Sequence, residues 1–182
     1  TPVVIVDGKF QFGDVAVFFN EHGKNSIADL APRVDELDRD IVEDVLVTHK
    51  PSGVKLLAAP LHPELAEDIT GDQFVKILQF LKKIYSYVII ECSDSLTDTV
   101  LASFDLSDLI VLLTTQEIPS IKNARLFLDV ADVLKIDRKK ILFVLNQFDK
   151  RIGITSEKIS ESLKQEIIAV LPNDERLVIP SI

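Results

Sequence analysis

The sequence predicts an α/β fold with a mostly parallel, twisted sheet and helices on both of its faces. Short runs of apolar, β-branched residues recur along the chain, and segments with helical periodicity separate them. Strands that alternate with helices of roughly ten to fifteen residues are typical of βαβ units, whose crossovers lay helices over the sheet. Several apolar runs end abruptly in acidic or polar residues. In such folds, ligands bind beyond the carboxyl ends of the strands.

Six apolar runs predict the strands. The run Tyr87–Ile90 is the most informative, because four β-forming residues precede Glu91 and a series of small polar residues. A continuous apolar run bounded by turn formers predicts a fully buried parallel strand. The predicted strands cover residues 3–6, 54–59, 87–90, 109–115, 141–145 and 167–171.

Helices are predicted from capping residues and from apolar residues spaced three and four apart. Ser26, Asp38 and Thr155 stand before helical segments, where their side chains accept hydrogen bonds from the first free amides of a helix. Between Gly71 and Ile84 the apolar residues keep helical spacing and lysines occupy the opposite face. The predicted helices cover residues 26–30, 38–46, 71–84, 96–104, 119–134 and 155–165.

Length, net charge and amino-acid composition limit the kinds of protein that this chain can be. The 182 residues are most simply one domain, 1–182, large enough for a substantial core. The net charge of −9 argues against non-specific nucleic-acid binding. A single cysteine and the lack of a long apolar run predict a cytoplasmic protein without a transmembrane segment. The chain starts at Thr1 and contains no methionine, so we expect it to be part of a longer protein.

The strand end at Glu91 is the first candidate site. An acid there, followed by Ser93, Asp94 and Ser95, suits a magnesium ion beside a nucleotide. The alternative is a core strand whose end happens to be polar. Cys92 is expected to be a small buried hydrophobic residue, and the three histidines share no spacing typical of metal ligands.

Several segments together resemble the deviant-Walker P-loop ATPases related to MinD and ParA, and within them the CpaE/TadZ-like branch of pilus-assembly proteins. Each motif is weak alone, but their order and spacing along nearly the whole chain are specific. The matching segments are 5–15, 53–60, 87–91 at the Walker B position, 114–124, 144–146 with Asp149, and 171–174 or Ile179–Pro180 near the end.

The resemblance implies a P-loop NTPase-like, three-layer fold that binds ATP and Mg²⁺. It places Asp7 and Glu91 at catalytic positions, with Glu91 also on the metal. The alternative for Asp7 is a strand-end acid that caps the following turn, and an asparagine at a strand end also satisfies turn backbone. The implied cofactor-binding positions are Lys9, Asn146, Asp149, Pro172 and Asp174.

Three departures from the family pattern weaken the implied chemistry. The glycine-rich phosphate loop has no counterpart in the chain, and we expect it upstream of residue 1. Lys9 stands where the family has a second acid that orients the attacking water, and a lysine offers no acceptor. Glu91 replaces the usual aspartate. We therefore expect weak ATP binding by this chain alone and poor hydrolysis in a protein with an intact loop.

The resemblance leaves three functions open. The first is a nucleotide-dependent localisation or pilus-assembly factor, recruited peripherally to a membrane or cell pole. The second is a nucleotide-independent scaffold of the same fold, and the third is another α/β enzyme, such as a small kinase or synthetase. The resemblance implies that the face beyond the strand ends, which carries Asp7, Glu91 and the segment Glu117–Asn123, meets a second copy. We predict a homodimer through this face, where Glu117, Lys122 and Arg125 suit a polar contact, with pilus-assembly or polar-localisation proteins as partners.

Overall fold

The computed structural model describes residues 1–178. It divides into two compact units, unit 1 (Thr1–Leu106) and unit 2 (Ser107–Ile182). The predicted α/β class with mostly parallel strands is confirmed in both units. The predicted organisation as one domain, 1–182, stays a prediction. The segment Ile179–Pro180, one of the family-like motifs, lies outside the described residues.

Unit 1 is built on a four-stranded sheet in the order β2-β3-β1-β4. Strand β1 pairs in parallel with β3 and β4, and the short β2, which the sequence did not predict, pairs antiparallel with β3. Its elements are β1 (Val3–Asp7), α1 (Val15–Phe18), α2 (Ile27–Leu30), α3 (Arg39–Val45), β2 (Val47–Thr48), β3 (Lys55–Leu57), α4 (Gly71–Ile84), β4 (Tyr87–Glu91) and α5 (Asp98–Leu106), with 3-10 turns at Ala31–Arg33 and Pro63–Asp68.

The helices of unit 1 begin where the capping residues predict. Ser26 forms a capping box with Asp29 at α2, and Asp38 accepts a hydrogen bond from the Ile41 amide at α3. The apolar stripe of α4 packs onto alternate residues of β1, because one face of a strand must be buried against a neighbouring layer. The buried α4 side chains are Phe74, Ile77, Leu78 and Leu81.

Unit 2 is built on a three-stranded parallel sheet in the order β5-β6-β7. Its core joins alternate residues of β6 to the inner faces of α6 and α7, centred on Phe143, Leu145 and Leu128. Its elements are β5 (Ile110–Thr114), α6 (Ile118–Val133), β6 (Ile141–Phe148), α7 (Ser156–Leu163), β7 (Ile167–Pro172) and α8 (Glu175–Val178), with a 3-10 turn at Arg138–Lys140.

The prediction that β4 is fully buried is wrong. Val88 and Ile90 pack against the core of unit 1, but Tyr87 and Ile89 on the other face are 62% and 52% exposed. Among the described residues β4 pairs only with β1, so its outer edge has no strand neighbour. Strand β5 shows the same pattern in unit 2, where Val111 and Leu113 are exposed. Full burial of such strands requires neighbours on both edges and covers on both faces.

None of the helices in the described part of the chain combines the length and the hydrophobicity needed to span a bilayer.

Candidate functional site

Asp7 is the last residue of β1 and is only 1% exposed. Its carboxylate accepts hydrogen bonds from two backbone amides, those of Lys9 at 3.2 Å and of Val15 at 3.1 Å. The loop between β1 and α1 is thereby closed over the carboxylate. Asp7 therefore performs the turn-capping role that the sequence left open as an alternative, and its catalytic role stays a prediction.

Gly13 makes this closure possible. A Cβ atom at position 13 would lie 2.4 Å from Oδ2 of Asp7 and 2.5 Å from the Cβ of Ala59, so the loop cannot keep its path with any larger residue. Sequence analysis did not single out Gly13. The available signal was a glycine between an apolar strand end and Asp14, but only the fold shows that the backbone approaches Asp7 there.

Glu91 and Lys9 lie beside Asp7. Asp7 and Glu91 are register partners at the carboxyl ends of the parallel strands β1 and β4, and the amide of Gly8 donates to the Glu91 carbonyl oxygen at 2.8 Å. The Lys9 ammonium forms an ion pair with Asp14 at 3.6 Å. The structure thus brings together Asp7, Lys9 and Glu91, three of the residues chosen from the sequence.

The two carboxyl groups hold protons more strongly than usual. Burial raises the pKa of Asp7, and the amides of Val15 and Lys9 oppose that shift. Partial burial raises the pKa of Glu91, and the nearby Asp7 charge raises it further. The Asp7 charge therefore disfavours ionisation of Glu91, and a cation bound beside Glu91 would offset that repulsion.

The carboxylates at this strand end leave few free oxygen atoms for a magnesium ion. Both Asp7 oxygens already accept amide hydrogen bonds, whereas Glu91 is only partly desolvated and remains open to solvent at the strand end. Within residues 1–178 no three His, Cys, Asp or Glu side chains are grouped as a metal site. Magnesium commonly keeps several waters and binds one or two carboxylates together with substrate phosphates. Glu91 would hold such an ion, with Asp7 in its surroundings.

Cys92 follows Glu91 and is half-buried, less than the sequence predicted. Burial and the neighbouring Glu91 charge raise the pKa of the Cys92 thiol to about 11. The thiol is therefore protonated at neutral pH and is a poor nucleophile.

In unit 2 the remaining predicted residues gather at the carboxyl ends of β6 and β7. Phe148 pairs with Pro172, and the Asn173 amide donates to the Phe148 carbonyl oxygen at 2.9 Å. Asn146 Oδ1 accepts from the Gln147 amide at 2.9 Å, which is the turn-satisfying alternative. Asn146, Asp149, Pro172 and Asp174 lie on these two strand ends.

The two acids of this group have partners of their own. Asp149 accepts a bidentate contact from Arg151, with Nη2 to Oδ2 at 2.5 Å. That guanidinium and the Arg151 amide lower the pKa of Asp149 to about 2. Asp174 accepts from the Arg176 amide at 3.1 Å at the start of α8. Nucleotide contacts by both acids stay predictions.

Gln116 positions the loop that follows β6, a role that sequence analysis missed. Its side chain is buried, its Nε2 donates to the Ile154 carbonyl oxygen at 2.6 Å, and its Oε1 accepts from the Asp149 amide at 2.7 Å. One side chain thus fixes both ends of the segment 149–154. The available signal was a glutamine directly after the most apolar strand, where a buried amide needs partners.

The proposed dimer face at the start of α6 is partly occupied within unit 2. Arg125 Nη2 donates to the carbonyl oxygen and to Oγ of Ser162 in α7, both at 2.7 Å. Arg125 therefore joins α6 to α7, and its part in a dimer contact stays a prediction.

Comparisons with known proteins agree with this architecture. No family model matches the sequence. The septum site-determining protein MinD of Thermotoga maritima is 23% identical over 144 residues, which are 76% of this chain and 53% of MinD. The chain thus spans about half the length of this curated relative.

Two solved structures show the same fold. A ParA family ATPase from Chlorobium tepidum superposes with a TM-score of 0.92 at 22% identity, over 99% of this chain and 75% of that one. MinD from Pyrococcus horikoshii, complexed with Mg-ADP, superposes with a TM-score of 0.77 at 20% identity, over 98% of this chain and 71% of that one. The chain has the three-layer α/β fold of the ParA/MinD-type ATPases.

Proposed function

We propose that the chain is the greater part of a ParA/MinD-family ATPase domain of the CpaE/TadZ-like kind, which acts as a nucleotide-dependent localisation or pilus-assembly factor. The observation that supports this best is the pairing of Asp7 and Glu91, in register at the carboxyl ends of two parallel strands. This is where nucleotide-binding folds place their metal and phosphate chemistry.

ATP with Mg²⁺ is the proposed ligand, held between two copies of the protein. Nucleotide state then shifts the population between monomer and dimer, because ATP binds the dimer more tightly. The proposed protein is cytoplasmic and is recruited peripherally to a membrane or cell pole by pilus-assembly or polar-localisation partners. The MinD of known structure that was crystallised with Mg-ADP supports the choice of nucleotide and metal.

The phosphate loop belongs, in this proposal, to polypeptide outside the 182 residues. Among the described residues the outer edges of β4 and of β5 have no strand neighbour, each within its own unit, and this supports the proposal. Long apolar edge strands are a liability that natural proteins cover. An additional strand on the β4 edge would cover the backbone groups of a strand whose residues Tyr87 and Ile89 are exposed.

Calorimetry tests the location of the phosphate loop. We expect the 182-residue chain to bind Mg-ATP no tighter than about 1 mM, near −4 kcal/mol, because backbone amides and a lysine of that loop supply most phosphate contacts. A version extended to include an upstream loop is expected to bind at least tenfold tighter. Low-micromolar binding by the chain alone would contradict the proposal.

Hydrolysis is expected to be slow even with the loop in place. Lys9 cannot accept a proton or orient a water, and its ammonium is paired with Asp14. Loss of a water-orienting group costs about 10²–10⁴ in rate, or roughly 3–5 kcal/mol of barrier. Lys9→Asp in the loop-containing protein is therefore expected to raise turnover, whereas Lys50→Asp, an exposed control, is not.

A nucleotide-independent scaffold is the second candidate, and one observation favours it. Both oxygens of Asp7 accept backbone amides, so the best-placed carboxylate already has a structural function. The two candidates differ in one measurement. If the loop-containing protein dimerises equally with and without Mg-ATP in sedimentation, the scaffold replaces the nucleotide-dependent factor.

A further inference from the structure

An apolar groove opens beside the loop that Asp7 holds. Its volume is about 430 Å³, within the range of pockets that take ligands or anchoring side chains. The polar residues of its lining are Asp7, which is almost fully buried, Glu21 and His22. We name it the Phe12 groove, and its apolar lining includes Phe12, Ala16, Val17, Pro60, Leu61 and Pro63.

The Phe12 side chain is displayed by a strained backbone. Its φ is 59°, in the left-handed region that a bulky residue rarely adopts, and its ring is 72% exposed. Such a conformation persists only where the surrounding structure imposes it, and it accumulates at functional sites. Here the amide of Val15 bound to Asp7 and the close approach of Gly13 to that carboxylate impose it. The Phe12 ring is not buried in the core, so core packing does not compensate for the strained backbone.

The rim of the Phe12 groove, defined as the segments that supply its lining together with the residues next to them, is acidic. Glu21 is itself a lining residue. The segments 12–23 and 58–68, the second of which includes the adjoining 3-10 turn, contain five carboxylates and neither lysine nor arginine. The flanking cations are Lys9, which is paired with Asp14, and Lys24. The five carboxylates belong to Asp14, Glu21, Glu64, Glu67 and Asp68.

This charge selects among the possible occupants. A phosphate-bearing ligand or an anionic lipid surface would meet like charge at the rim. A second copy in a two-fold contact would set the same acidic rim against itself, because such a contact uses one surface twice. A peptide that carries an apolar side chain flanked by lysine or arginine meets both the apolar floor and the acidic rim.

We propose that the Phe12 groove is the docking site for a cationic, apolar segment of a partner protein. A large apolar side chain of the partner enters between Phe12 and Leu61, and its neighbouring cations face Glu21 and the acids of the turn Pro63–Asp68. Asp7 is the first acid of the candidate nucleotide site, and its carboxylate also holds the loop that carries Phe12. A docked partner therefore contacts a loop that is bound to this acid. The groove itself does not depend on nucleotide binding.

Titration with a short synthetic amphipathic peptide of leucine and lysine tests the proposal. Fluorescence anisotropy is expected to show binding to the unmodified chain, with a peptide of leucine and glutamate as the charge control. Phe12→Gly removes the ring and suits the positive φ, so the loop keeps its path. We expect Phe12→Gly and Leu61→Ser each to weaken binding at least tenfold, about 1.4 kcal/mol. Val133→Ser, at an 80% exposed position of unit 2, is expected to have no effect.

Three outcomes would overturn the proposal. The first is equal binding of the glutamate peptide, and the second is equal weakening by Val133→Ser, since either would mean non-specific adhesion. The third is unchanged binding in Phe12→Gly and Leu61→Ser. Anionic lipid vesicles and self-association in sedimentation are the competing occupants. If Phe12→Gly abolished either of these while leaving peptide binding intact, the groove would belong to that occupant instead.

Discussion

Asp7 in unit 1 and Asp149 in unit 2 occupy similar places but have opposite electrostatic properties. Each stands at the carboxyl end of a parallel strand. Burial raises the pKa of Asp7, although two amides stabilise its charge. A guanidinium lowers the pKa of Asp149 to about 2, and the pair is exposed to solvent on its Arg151 side. The difference shows that strand position identifies a candidate acid, whereas burial and ion-pair partners decide whether its pKa lies above or below the usual range.

The largest expected effect lies at Gly13, where the unit 1 loop closes on Asp7. Gly13→Ala is expected to lower the free energy of unfolding by about 2–3 kcal/mol, because an added Cβ would overlap the Asp7 carboxylate and Ala59. Urea denaturation measures it. Gly153→Ala in unit 2 is the matched control, since a Cβ there meets nothing within 4 Å. Equal effects of the two substitutions would mean that the loop relaxes without cost.

The corresponding constraint in unit 2 is Gln116. Gln116→Ala is expected to cost about 2 kcal/mol, because it removes two buried hydrogen bonds of about 1 kcal/mol each. Amide exchange of the segment 149–154 should accelerate more than that of β6. Gln11→Ala, at an exposed glutamine, is the control and should change neither quantity. Uniform acceleration across unit 2 would mean that Gln116 supports the whole unit rather than this loop.

The contacts of Gly13 and Gln116 are also the features that the sequence did not predict. Helix starts at Ser26 and Asp38 were predictable, because a cap depends on residues within one turn. The gathering of strand-end acids was predictable from the alternation of strands and helices. Gly13 against Asp7 and Gln116 against Ile154 were not, since both contacts join backbone that is distant in sequence or folded back on itself.

The prediction that β4 is fully buried failed for a different reason. An apolar run predicts what a strand can bury, but the burial achieved depends on which neighbours are present. Val88 and Ile90 pack against the core of unit 1, whereas Tyr87 and Ile89 on the opposite face are exposed, and among the described residues β4 also has a strand neighbour on one edge only. The departure at Lys9 was readable from the sequence, but its ion pair with Asp14 was visible only in the structure.

The contrast between the two aspartates predicts opposite pH dependence. In the folded protein the pKa of Asp7 lies above the usual 3.8, so the contribution of Asp7 to the free energy of unfolding is greatest below pH 3.8. This contribution falls as the pH rises through the folded-state pKa. For Asp149 the folded pKa of about 2 lies below 3.8, so its stabilisation is present above 3.8 and is lost as pH falls towards 2. Asp7→Asn should flatten the first trend and Asp149→Asn the second, in unfolding measured from pH 2 to 7. If both variants changed the profile in the same direction, the opposite pKa shifts would be wrong.

The smallest expected effect is a change in the pKa of Glu91, beside Asp7 in unit 1. Burial is the main cause that holds this pKa above its usual 4.5, and the Asp7 charge is the next. Removing that charge in Asp7→Asn should lower the Glu91 pKa towards 4.5 without reaching it, because the burial remains. Carboxyl carbon NMR titration measures the shift directly. Glu43 serves as an internal control in the same spectra, since Lys55 and Tyr85 lower its pKa and Asp7 is not among the groups that shift it. A Glu91 pKa that stayed constant while Asp7 lost its charge would mean that the two carboxyls titrate independently, and the electrostatic effect of Asp7 on Glu91 would be wrong.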